Sequence, residues 1–520
     1  MAGRGERLCF FASLLLAAPG LLPATNYSIS AFADGIAVDG VCRLREAIRA
    51  VQSQQSVNEC PAGGAVNTIT LAAAGTYAFI QGQELLLAET LTIRGAAPVP
   101  ADYVIDLQGS SRFLEIQGGG RLTLEGLTVT RAESFGEIAA AGGALRVQGS
   151  ELVLRDVVIS QSIAPDGGGL WMVGSSGFSS LERVRFVDNL AEDRVEQHGG
   201  KGGGAFFELT GPADLRLEDV VFEGNRARAT SPNRQAFGGG AYLRSEAPGN
   251  TARVDLQGLA FLDNEAESGV GVDGAGLFLS LNGKGALELA DSRFEGNHLI
   301  SALDGPYGSA LAANLGGSAI LRIRRVEAAG SSALASGTAQ IVVRTDQTST
   351  ALLDSVLVHS SGLSGTVLQK AGAGTLTAGQ LTVTGNLAGG VSIWNFSAAL
   401  PRIENSLLWG NGPPGSPSTD LSNAVGEVDA DRLANHNWIG DQGDPDPLFV
   451  DATEGDFGLQ ASSGAIDSGE SSFLSVGPFD LNHASRIVGS EVDLGALEHG
   501  GLFSDGFESA SAGSWSSALL

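Results

Sequence analysis

Two short signatures alternate along the middle of the chain, and their recurrence restricts the fold more than any other feature. One steps from glycine into a short apolar run: Gly142-Gly143-Ala144-Leu145, Gly168-Gly169-Leu170-Trp171, Gly203-Gly204-Ala205-Phe206, Gly239-Gly240-Ala241-Tyr242 and Gly274-Ala275-Gly276-Leu277. The other pairs a phenylalanine with an asparagine three residues on: Phe186 with Asn189, Phe222 with Asn225, Phe261 with Asn264, and Phe294 with Asn297. Between them run stretches such as Leu152 to Ile159 and Leu215 to Phe222, whose apolar period near two marks half-buried strand. Self-similarity at a fixed period is the mark of a solenoid, because one unit cannot bury its apolar face alone and must rest it on the next. The step from Gly143 to Gly168 is about 25 residues, one coil, and later steps are about 35. The surplus falls in the polar stretches Ala191 to Gly202 and Ala227 to Gly238, read as loops leaving one corner.

Parallel stacking at ~4.8 Å aligns like residues of successive coils. Phe186, Phe222, Phe261 and Phe294 are therefore expected to form an internal ladder. Asn189, Asn225, Asn264 and Asn297 are expected at left-handed corners, bonding backbone of adjacent coils. Weaker strand-then-corner forms continue to Asn411 and begin near residue 66. The expectation is all-β: a single right-handed parallel β-helix over 66–411. An amphipathic helix within Arg43 to Gln54 caps its start, inside an N-terminal cap over 25–65. After Pro413-Pro414-Gly415-Ser416-Pro417 an irregular C-terminal cap spans 412–499, and a flexible tail 500–520.

Composition agrees and narrows the function classes. Glycine is 74 of 520 residues, aromatics 6% and apolar residues 43%, too hydrophobic for a disordered chain and too rich in glycine for a helical bundle. A net charge of −27, from 58 acidic against 31 basic residues, repels polyanions, so nucleic acid is not an expected partner. Arg4 and Arg7, the apolar Leu8 to Ala18 and the region Leu22-Pro23-Ala24 read as a Sec-type signal peptide over 1–24, implying a secreted or cell-surface protein. No other apolar run approaches the ~20 residues of a helical membrane anchor. Removing the signal takes Cys9 and leaves Cys42 and Cys60, an even pair read as a disulfide contributing ~3 kcal/mol through the unfolded state.

Cys42-Arg43-Leu44-Arg45-Glu46-Ala47-Ile48 resembles the CSLREA motif that heads many bacterial surface β-helices, departing from it at Arg43. The two repeat signatures resemble those of chlamydial polymorphic outer membrane proteins. Asp446 to Asp451, Gly464 to Gly469 and Val492 to Glu498 together resemble the choice-of-anchor Q domain found at the end of such helices. Phe503 to Ser509 with Trp515 is similar to a short tail on exported gammaproteobacterial proteins. These resemblances imply an architecture and carry no assigned chemistry.

The β-helix fold hosts pectate lyases, polygalacturonases and adhesins alike, so a reaction must be argued from a site. A polygalacturonase-like site needs paired carboxylates, and no Asp-Asp and no Asn-Thr-Asp occurs to support Gln197-His198-Gly199 or Arg322-Ile323-Arg324. Asp156, Glu218 and Asp219, with Arg155, Arg185 and Arg216, read as outward-facing charges paired across coils. The densest acidic run, Asp441, Asp444, Asp446, Asp451, Glu454 and Asp456, is the candidate for Ca²⁺, the one cofactor entertained, although it lacks EF-hand spacing. The six histidines are dispersed, against zinc. Trp171 is expected to stack in the core or at a corner, while Trp394 and Trp409 are candidate sugar platforms. The resulting expectation is a monomeric, non-catalytic, adhesin-like interaction scaffold whose inserted loops contact a polysaccharide, surface glycan or surface protein; a polysaccharide lyase or hydrolase is the alternative, its catalytic residues unknown.

Overall fold

The alternation that puts Leu152 and Leu154 inward breaks after Arg155: the next inward residues are Val157 and Ile159, leaving Arg155 and Asp156 as two consecutive outward positions. Two outward residues in a row require one to leave the extended conformation, and Asp156 does so with φ 52°. The computed structural model, which describes residues 23–500 except 135–140, 175, 193–199, 232, 246–250, 306, 416, 418 and 474, repeats this bend coil after coil. Gly126, Arg183, Asp219, Gly258, Asp291, Arg325, Ser355, Gln380 and Asn405 all occupy the same left-handed position. The expected signal peptide up to residue 22, the tail from 501 and the Gln197-His198-Gly199 segment lie outside the described residues.

Around that bend the chain winds as a parallel β-helix. Glu151–Ser160 pairs in parallel with Arg121–Thr130 on one side and Phe178–Val187 on the other. The coil then passes through Ile163–Ala164 into Leu170–Gly174, each again paired in parallel with its counterparts. The result is a long sheet of 19 strands, a second of 12 and a short third of 6. A left-handed L-residue costs roughly 1–2 kcal/mol. At two places it is offset by a cross-coil ion pair within the same column. Arg183 donates to both Asp156 carboxylate oxygens at 2.7 and 3.0 Å, and Arg325 to both of Asp291 at 2.5 and 2.9 Å.

The phenylalanines form one internal column. Phe186, Phe222, Phe261 and Phe294 are fully buried, with successive ring centroids 5.0, 4.9 and 4.8 Å apart and planes within 5° of parallel. The asparagines run beside them, but not at the left-handed position expected of them. The preceding residues, Asp188, Gly224, Asp263 and Gly296, hold φ between 51° and 65°, which frees each asparagine to point inward. There Asn189 Nδ2 donates to Asn225 Oδ1 at 3.0 Å, Asn225 to Asn264 and Asn264 to Asn297 at 3.1 Å. The second amide proton goes to the phenylalanine carbonyl of the previous coil, as from Asn225 to Phe186 at 2.8 Å. The buried amides of Asn225 and Asn264 are tolerated because all four of their hydrogen-bonding positions are filled.

Parallel pairing extends beyond the 66–411 limits drawn from the sequence. Thr25–Ile29 already pairs with Val66–Leu71, and at the far end Leu421–Val425 and Trp438–Ile439 still pair with Gly389–Asn395 and Leu407–Trp409. These short runs lack both signatures because terminal coils meet a neighbour on one side only. At the start, the helix Leu44–Ser53 lays Leu44, Ala47, Ile48 and Val51 on the first coils. The motif around it is explained residue by residue. Cys42 is bonded to Cys60. Arg45, 1% exposed, forks onto Asp34 at 2.7 and 2.9 Å and lies 3.8 Å over the Phe79 ring. Glu46 accepts from the Arg43 and Ala37 backbone and the Asn58 amide.

The irregular C-terminal segment does more than close the last coil. It folds back along the bend of the long sheet. Glu470 exchanges backbone hydrogen bonds with the Asn405 side chain at 2.8 and 3.0 Å, Ala496 N donates to Thr382 Oγ1 at 2.9 Å, and His483 lies 3.0 Å from Asp291. Phe457, Ala496 and Leu459 bury Leu357 and Leu407, outward residues of earlier strands.

Candidate binding face on the long sheet

Upstream of that segment, the half of the long sheet before the bend is open to solvent. Its outward residues stand in columns, with a step of ~4.8 Å from coil to coil, and along them arginines and carboxylates fall on neighbouring coils. Arg155 reaches Glu125 at 2.9 Å and Glu182 at 3.6 Å, in the coils before and after it. Arg216 reaches Glu218 at 2.9 Å and Asp255 at 4.0 Å, and Arg324 reaches Glu288 at 3.3 Å. The half-exposed Arg183 sits between Asp156 and Glu182; the hydrogen bonds it donates to Asp156 first, then to Glu182, push its guanidinium above the ordinary arginine range. Around the bend, Arg185 pairs with Glu223 at 2.7 Å.

Two shallow depressions open on this face. One gathers Asp214, Arg216, Arg253, Asp255, Glu288 and Arg322 beside Phe178, a large apolar side chain 47% exposed. The other is lined by Arg94, Glu125, Arg155 and Asp156 against the backbone at Ala96 to Pro98. Arg183, Arg253 and Phe178 did not stand out in the sequence, and Arg322 did so only within Arg322-Ile323-Arg324, as an unsupported catalytic step. The readable signal was the doubled outward polar pair that breaks each alternation, Arg155-Asp156, Glu182-Arg183, Glu218-Asp219 and Arg324-Arg325.

The second sheet carries an outward aromatic row. Trp171, expected in the core or at a corner, is half-buried and points outward, because Leu170 and Met172 take the inward positions on either side. It stacks on Phe206 at 6.2 Å, Phe206 on Tyr242 at 5.0 Å and Tyr242 on Phe278 at 5.2 Å, with Arg146 5.0 Å over the Trp171 ring. Phe237, from the second inserted loop, closes over the row 4.7 Å from Phe278. Phe237 is thus cover for an apolar row, whereas Ala227 to Ala229, expected as the start of that loop, belong to the strand Arg226–Ala229 of the short third sheet, because their alanines pack inward on the neighbouring coils; most of the loop from Ala191 to Gly202 lies outside the described residues. Trp394 and Trp409 are half-buried against Val342 and Val367 and against Leu407 and Leu459 respectively.

The calcium candidates are not brought together. Asp441 accepts from the Asp420 and Leu421 backbone, Asp444 from Arg432 and Ile439, Asp446 from Leu448, Asp451 from Thr453, and Asp456 from Gly458, so each carboxylate orders its own turn. Among the described residues no group of three or more histidine, cysteine, aspartate or glutamate side chains is placed to hold a metal ion. Carboxyls that burial pushes above their usual range, Asp273, Asp354, Asp493 and Glu498, line neither depression of the open face.

The fold and this face define an all-β parallel β-helix whose long sheet carries rows of arginines and carboxylates on its outward side. No helix among the described residues is long and apolar enough to cross a membrane. No family model matches the chain, and no curated protein matches it either.

Proposed function

We propose that the protein is an exported, elongated interaction scaffold that binds a polysaccharide or surface glycan along the open half of the long sheet. The observation that carries the reading is the columnar array of arginines and carboxylates on consecutive coils, with Arg253, Arg322 and the exposed Phe178 around one depression. Rigid donors repeated at a fixed step suit a repeating polymer, and an aromatic face suits a sugar ring. Export is supported by the basic-then-apolar start of the chain and by the Cys42–Cys60 bond, which persists in oxidising compartments. The resemblances to CSLREA and choice-of-anchor Q proteins support a bacterial surface or extracellular setting.

A second reading, a polysaccharide lyase or hydrolase, is favoured by one feature: Asp214, Asp255 and Glu288 line the same depression as Arg216, Arg253 and Arg322. Glycan-array binding of chain 25–499, run beside turnover assays on polyuronates and neutral glycans, separates the two. Binding that is lost in Arg253→Ala/Arg322→Ala, without product release, supports the scaffold. Turnover abolished by Asp255→Asn establishes the enzyme instead.

A further inference from the structure

The contact between the C-terminal segment and the bend of the long sheet is built around one guanidinium. Arg486 is 1% exposed; its Nη2 donates to Gln380 Oε1 on the solenoid and to Gly495 O at 2.8 Å within the segment. Its Nε and Nη1 have no hydrogen-bond partner among the described residues. Four carboxylates contribute to its electrostatic surroundings: Asp354 from the solenoid, and Asp480, Asp493 and Glu498 from the segment. None of them closes an ion pair with it; each is turned to other donors. Asp354 takes the Ser355 hydroxyl and Asp480 the backbone N–H groups of Asn482, Ala484 and Glu498. Asp493 takes those of Asp467 and His499, and Glu498 those of Val488 and Asp493.

The charge balance at this interface is therefore unfavourable when every acid is ionised: four carboxylates surround one buried cation, with Arg324 and Arg325 the further cations acting on Asp354; Asp467 and His499 act with opposite sign on Asp493, and His483 is bound away at Asp291. Arg486, Asp354, Asp480 and Asp493 are at most 2% exposed, so the repulsion is weakly screened. From this arrangement we infer that the segment from about Gly464 to His499 is a proton-dependent latch, held against the solenoid at mildly acidic pH and loosened as the pH rises past neutrality. Release would bare Thr382 and uncover Leu357 and Leu407 on the sides where Ala496, Ala465 and Leu494 now pack, extending the open sheet toward the C-terminal coils.

The direction follows from the acids themselves. Burial pushes Glu498 up to about 7 and also raises Asp493 and Asp354. An acid whose proton affinity is higher when docked than when free stabilises docking fully below its free range, near 4.5, and loses that contribution as pH climbs to about 7.

Hydrogen exchange by mass spectrometry on chain 25–499 tests this directly. Peptides covering Leu481–Glu498 and the covered strand Thr350–Ser361 are compared at pH 5.5 and pH 8, with exchange corrected for its intrinsic pH dependence. The opened fraction of both is expected to rise roughly tenfold at the higher pH, while peptides over Glu151–Ser160 stay unchanged. Glu498→Gln, which keeps shape and removes the titration, is expected to reduce that ratio to near one. Equal protection of the wild-type segment at both pH values overturns the latch, as does an undiminished pH response in Glu498→Gln. If that variant is open at every pH, Asp354→Asn on the solenoid side is read in its place against the same two outcomes.

Discussion

Changing Asn225 to aspartate replaces one buried donor group by an acceptor and nothing else. The amide Nδ2 gives one proton to Phe186 O at 2.8 Å and the other to Asn264 Oδ1 at 3.1 Å, while Oδ1 receives Asn189 N at 3.1 Å and Asn189 Nδ2 at 3.0 Å. An ionised aspartate keeps the two bonds it receives but points its second oxygen at two acceptors. An uncompensated buried charge of this kind costs about 3–5 kcal/mol. Protonation returns one of the two donor bonds, so the neutral acid costs about 1–2 kcal/mol. The proton affinity of the substituted residue is accordingly higher in the folded state than in the unfolded chain. The penalty is therefore smallest below about pH 4, the free aspartate range, and grows as pH rises through the folded value. Denaturant unfolding of Asn225→Asp and wild type at pH 4 and pH 7.5 measures both terms. The difference between the two proteins is expected to widen by about 2 kcal/mol at the higher pH. A pH-independent loss would refute the account of the ladder, and so would a variant as stable as wild type at pH 7.5.

Two further substitutions probe the packing. Phe222→Ala removes a fully buried ring stacked on both sides; unfolding is expected to lose about 3–5 kcal/mol, against under half that for Phe222→Leu. Hydrogen exchange should rise in the coils of Phe186 and Phe261 before more distant ones, since solenoid coils support their immediate neighbours. Replacing Cys42 and Cys60 together by serine is expected to cost about 3 kcal/mol in unfolding measurements, with the earliest loss of exchange protection in Leu44–Ser53.

How much of this was legible in the chain depends on how local the cause is. The winding itself is written in Leu152, Leu154, Val157 and Ile159 and their counterparts, because period-two burial and recurrent phenylalanine and asparagine are properties of each coil. The helix at Leu44–Ser53 is likewise carried by its own apolar spacing. The left-handed position was misplaced by one residue: Gly224 and Gly296 mark it in their own coils, whereas Asp188 and Asp263 share the conformational tolerance of the asparagines that follow, so that there only the stacking decides which of the two turns inward.

By itself, then, the sequence determined a stack of parallel coils with an aromatic and an amide column inside, because each coil repeats the same inward residues. Tertiary structure alone decided what each column meets on the outside. It turned Trp171 outward onto Phe206, set Arg253 and Arg322 beside Asp255 and Glu288, and brought Arg486 onto Gln380 across a large gap in the chain. Those contacts join residues with no shared local pattern. They depend on the register of stacked coils and on the path of a segment that folds back over them, and neither is encoded within any one coil.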